Sequence, residues 1–171
     1  MTNNPDPIKP FCLWLNGPTN KDRSILADLI QRALTHRGAA VQILDSTRAS
    51  QEIGVETVYP EDLVKILAWV TKLMKNQGVT IVLALKVDDP AGRAQIKNEL
   101  PGLFEVSLGL SENPEYANLV LDTGTESVPD CLARILRALE LLEYIPAVDE
   151  AGYSEQEAEL VAQRLKELGY I

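Results

Sequence analysis

Five short apolar runs separated by helical patterns constrain this chain most. They read FCLWLN (11–16), AVQILD (40–45), VTIVLAL (79–85), LFEVSLGL (103–110) and NLVLD (118–122). The first is too short for a helix and is bounded by Gly17-Pro18, so it reads as a buried strand. VTIVLAL is almost continuously β-rich, as expected for a central parallel strand covered on both faces. Short strands alternating with helices imply an open parallel sheet with right-handed crossovers. The expected fold is therefore a three-layer α/β domain of about five parallel strands, with helices on both faces.

The helical patterns are equally regular. From Ser24 onward, Leu26, Leu29, Ile30, Ala33 and Leu34 recur at helical spacing, and Gly38 supplies a stop. His36, the only histidine, falls at this helix end, where a polar or cationic side chain suits exposed carbonyls. A second helix runs from Pro60 to Gly78, with Leu63, Ile66, Leu67, Val70, Leu73 and Met74 as its apolar face. Residues 46–59 show no firm period and read as a loop with a short helix. A shorter helix covers 91–102, and another starts at a capping pair, Ser127 and Asp130. The organisation is an irregular arm over 1–10, an α/β domain over 11–142, a linker over 143–152 and an amphipathic helix over 153–171. In that last helix Ser154 and Glu157 make a capping box, and Ala158, Val161, Leu165 and Leu168 line one face.

A chain of 171 residues, 46% apolar but only 5% aromatic, fills such a domain with an aliphatic core. A net charge of −9 argues against a nucleic-acid surface, which needs clustered Lys and Arg. No apolar run approaches the roughly 20 residues that span a bilayer, so no membrane role and a cytoplasmic location are expected. The two cysteines, Cys12 and Cys131, read as buried reduced thiols, and one histidine builds no His-rich metal site.

In such a sheet, ligands bind beyond the carboxyl ends of the strands. That places Gly17 to Ser24 and Asp45 to Arg48 on the functional edge. A phosphate-binding P-loop, G-x-x-x-x-G-K-[ST], would sit at the first of these places. Here the eight places read GPTNKDRS. Gly17 and Ser24 are kept, Asp22 stands for the second glycine and Arg23 for the lysine.

The order of segments resembles the adenylylsulfate kinase family of P-loop kinases. LWLNGPTNKDRSILADLI follows its strand, loop and first helix in outline. VQILDS falls where that family has a strand ending in Asp-Gly-Asp. EDLVKILAWVTKLMKNQGVTIVLAL tracks its next helix and central strand, and ENPEYANLVLDTGTESVPDCLARILRALE its closing segment. The likeness covers 11–142. It implies a homodimer and phosphate or nucleotide contacts from Gly17, Asn20, Lys21, Arg23 and Ser24, with Ser24 reaching Mg²⁺. A substrate-side remnant of Asp45, Arg48 and Lys65 is implied as well, with Asp45 as the one catalytic candidate if the chain is active.

The departures concern chemistry. Asp22 puts a carboxylate where anionic oxygens should lie, and a like-charge contact at 4 Å costs about 4 kcal/mol at an effective dielectric near 20. Asp45-Ser46-Thr47 leaves one acid of two, and Lys65 stands where the family has an arginine. The long basic segment that forms the family's lid has no counterpart between LFEVSLGL and NLVLD. Any ATP or Mg²⁺ binding should therefore be weak, and neither is required. Three readings stay open. They are a pseudo-enzyme that acts as a binding or regulatory module, an enzyme with residual adenylylsulfate-kinase-like phosphotransferase activity, and a scaffold that binds a protein partner through 153–171. In each, GPTNKDRS also has a plain structural role as a strand-to-helix turn.

Overall fold

A computed structural model describes residues 8–53, 60–109 and 117–147, together with Gln163 and Lys166. Five parallel strands form one sheet: β1 (Cys12–Asn16), β2 (Val41–Asp45), β3 (Thr80–Ala84), β4 (Phe104–Leu108) and β5 (Leu119–Leu121). Their spatial order is β2-β3-β1-β4-β5. The connections are α1 (Asn20–His36), then α2 (Ser46–Ile53) and α3 (Pro60–Asn76), α4 (Pro90–Glu99), and finally α5 (Val128–Leu141) after β5. The three-layer α/β architecture read from the sequence is the one observed.

Strand periodicity of two sorts the core into two halves. On β1, Leu13 and Leu15 pack with Leu26, Ile30 and Leu34 of α1 and with Leu132, Ile135 and Leu139 of α5. Cys12 and Trp14 take the opposite face, with Val64, Leu67 and Ala68 of α3 and Ile96 of α4. All of β1, β3 and β4 is buried, as their apolar runs require, whereas β2 at the sheet edge is only partly covered. Trp14 is wholly buried, and its indole donates to Leu85 O at 2.8 Å. Both cysteines are buried free thiols. Burial pushes the Cys12 thiol up to about 12, so it is inert at neutral pH.

One boundary and one helix face differ from the sequence expectations. The first helix begins at Asn20 rather than Ser24, with Thr19 in extended backbone as its N-cap. The short helix expected within 46–59 is α2, from Ser46 to Ile53. On α3, Ile66 and Leu73 lie outside, and Val64, Ala68 and Thr71 are the buried positions beside Leu67. An apolar count alone could not tell which of two apolar sides meets the sheet. The Ser127–Asp130 cap of α5 is present, the Asp130 amide donating to Ser127 Oγ at 3.3 Å. The arm over 1–7 and most of the linker and tail lie outside the described residues.

Candidate functional site

Only Gly17, Pro18 and Thr19 separate β1 from α1, so most of GPTNKDRS is helix. Asp22 lies in the first turn, where an acid complements the unpaired amides of a helix start. Gly17 is demanded by packing. A Cβ there would sit 2.6 Å from Leu108 O and 2.7 Å from Leu108 Cβ, against the carboxyl end of β4.

Arg23 holds this turn closed. It is only 4% exposed, and its guanidinium donates from Nη1 to Gly17 O and from Nη2 to Asn20 Oδ1 at 3.3 Å. Its Nε makes no hydrogen bond among the described residues. Burial lowers the pKa of Arg23, while Asp45, Asp88 and Asp22 oppose the shift and keep the cation. The carbonyl and amide oxygens that bind it are neutral, and they occupy donors that would otherwise meet an anion.

Ser24 pairs with the last residue of β2. Its hydroxyl donates to Asp45 Oδ2 at 2.9 Å. Asp45 Oδ1 in turn accepts from the amides of Thr47 (2.8 Å) and Arg48 (3.2 Å), which makes Asp45 the N-terminal cap of α2. Thr47, not singled out in the sequence, donates from Oγ1 to Asn20 Oδ1 at 3.1 Å and closes the ring of contacts. The structure thus brings together Gly17, Asn20, Arg23, Ser24 and Asp45. Arg48 joins only through its amide, Lys21 is exposed on the first turn, and Lys65 is exposed on α3, 3.8 Å from Asp62.

The guanidinium donates into the turn at Gly17 O, and the Ser24 hydroxyl is engaged by Asp45. Space is available beside it. A cleft of about 1260 Å³ opens at the carboxyl end of β3, lined by Ser46, Thr47 and Ser50 of α2, Asp62 of α3, and Lys86 and Asp88. Its lysine is already paired, with Lys86 Nζ 2.8 Å from Asp88 Oδ2.

A second charged group, missed by sequence reading, lies behind the cleft. Glu105 of β4 is wholly buried, with Arg93 Nη2 2.6 Å from Oε1 and Lys97 Nζ 2.8 Å from Oε2. Asn16, the last residue of β1, donates to Glu105 Oε1 at 3.4 Å and to Val87 O at 2.9 Å. Its Oδ1 accepts from the Val87 amide at 3.0 Å. The network ties the turn after β1 to the loop after β3. The available signal was an acid inside an apolar run together with two cations four apart on one helix.

No family model matches the sequence. A probable bifunctional SAT/APS kinase 2 of Sorangium cellulosum is 28% identical, over 80% of this chain and 29% of its own length. The chain therefore spans less than a third of that relative. A probable adenylyl-sulfate kinase of Pyrococcus abyssi is 25% identical over 96% of this chain and 99% of its own. Among solved structures, a hexameric APS kinase from Thiobacillus denitrificans superposes with a TM-score of 0.72 at 18% identity, over 85% of this chain and 32% of that one.

Proposed function

We propose that this chain, a relative of the adenylyl-sulfate kinases with a P-loop-kinase-like fold, serves as a binding or regulatory module without phosphoryl transfer. The buried Arg23 guanidinium carries the reading. It closes the phosphate turn from inside and uses the Gly17 carbonyl and Asn20 as its acceptors. Phosphoryl transfer needs cations aimed at the transferring group and a site closed to water. Of the cations at this edge, Arg23 is turned inward, and residues 109–118 alone connect β4 to β5. Weak anion binding at the turn is the most this arrangement supports, and it requires Arg23 to swing out.

Residual adenylylsulfate-kinase-like phosphotransfer is the second reading, favoured by the Ser24 hydroxyl and Asp45 carboxylate still lying 2.9 Å apart. Titration calorimetry with Mg-ATP separates the two. The module reading expects no binding below millimolar concentration in the natural sequence. Micromolar binding, lost in Arg23→Ala and improved in Asp22→Gly, would overturn it. Self-association is part of the same proposal, since one structural relative is a hexamer.

A further inference from the structure

Helix α3 is apolar on two sides. One side, with Val64, Leu67 and Ala68, packs on the sheet. On the other, Ile66, Trp69 and Leu73 form a row at helical spacing, 44%, 61% and 46% exposed. An apolar row on both sides of a helix is the pattern of an element covered on both sides, and an exposed tryptophan flanked by aliphatics marks an interaction surface. Lys65 and Lys72 run along one edge of the row, about half exposed, with Lys65 Nζ 3.8 Å from Asp62 Oδ1 and Lys72 Nζ 2.6 Å from Glu99 Oε2.

The chain leaves the described body at the sheet edge where α3 ends. Tyr144 packs on Phe11 and Phe104, with ring centroids 5.1 and 5.8 Å away, and its hydroxyl donates to Gly102 O at 3.2 Å. All three lie at the amino ends of β1 and β4, the edge that α3 reaches at Asn76 before entering β3. From Ala147 to Tyr153 an extended chain reaches about 20 Å.

The segment beyond this linker has the complementary character. Val161, Leu165 and Leu168 form one apolar row, and Glu155, Glu157, Glu159 and Glu167 make the segment acidic. Gln163 and Lys166 are helical and exposed, on the side opposite that row. We propose that residues 153–171 form a helix that docks in cis on α3, antiparallel to it, covering Ile66, Trp69 and Leu73 with its acids towards Lys65 and Lys72. The inference does not rest on the reading of the phosphate turn.

The test uses the full chain. Trp14 is wholly buried, so a soluble quencher such as acrylamide reports on Trp69. With the tail docked, quenching is weak in the natural sequence. It rises in Val161→Asp/Leu165→Asp, and the emission moves to longer wavelength while the far-ultraviolet dichroism of the domain persists. Equal quenching in both overturns the proposal. A second variant, Ile66→Cys with Leu165→Cys, asks where the tail comes from, because the natural cysteines are buried. Mild oxidation is expected to give an intrachain disulfide at every protein concentration. A disulfide-linked dimer, or no cross-link, overturns docking in cis.

Discussion

Two arginines of this domain are equally buried and differently held. Arg23 and Arg93 are each 4% exposed. Arg93 lies 2.6 Å from the wholly buried Glu105, with Lys97 completing the group. Among the described residues Arg23 touches no carboxylate directly. Its acceptors are a main-chain carbonyl and a side-chain amide, and Asp45, Asp88 and Asp22 act on it only through the field. An ion in the interior is retained when a counter-ion meets it at contact distance, and is costly when one does not. Arg93 therefore belongs to the architecture. Arg23 is a buried cation turned back on the loop that precedes its own helix.

The largest test of this difference is Glu105→Ala. Removing one partner of a buried pair leaves the other uncompensated, and about 3–5 kcal/mol of stability should be lost in urea denaturation. Replacing the pair together, as Glu105→Leu with Arg93→Met, should recover most of that loss. A loss below about 1 kcal/mol for the single change would place Arg93 in the same class as Arg23. Next in size is Gly17→Ala. Its new methyl meets the backbone of Leu108, which cannot move without shifting β4, so the cost should be about 1–3 kcal/mol with no ligand present. If Gly17→Ala is neutral in stability, the glycine serves a ligand rather than the packing.

The fold was readable because aliphatic strands and capped helices announce themselves locally. Pro60 to Gly78, the Ser127 cap and the run VTIVLAL all do so. The site was readable only as positions. Spacing puts Gly17 and Asp45 at the carboxyl ends of β1 and β2 and a cation at Arg23, but it does not show which way so long a side chain turns. Thr47 and Asn16 contribute through contacts formed only once β1, β2 and β3 lie side by side. Glu105 was hidden for the same reason. Its partners come from α4, and nothing in β4 alone marks that acid as paired.

Asp45 links the comparison to the cleft, since it caps α2 and also supports the Arg23 cation. Asp45→Ala should cost about 1 kcal/mol through the lost cap, with local loosening of α2 visible in hydrogen exchange. Asp45→Asn keeps the capping oxygen, but it lowers the field on Arg23 and replaces the Oδ2 that accepts from Ser24 with an amide donor. Near-natural stability for Asn would assign the carboxylate to capping, whereas an equal loss in both variants would assign it to its charge and the Ser24 bond.

The smallest effect is expected at Arg23 itself. Arg23→Leu removes hydrogen bonds to two neutral acceptors, each worth about 1 kcal/mol net, but it also removes the cost of burying a cation with no carboxylate in contact. These oppose each other, so the change in stability should stay within about 1 kcal/mol in either direction, well below that of Glu105→Ala. The carbonyl of Gly17, a buried residue next to the exposed Pro18 and Thr19, is left without this donor in the variant. A loss comparable to that of Glu105→Ala would break the contrast between the two arginines. Arg23 would then be a structural bolt, and swinging it out to admit an anion would unfold the turn rather than open it.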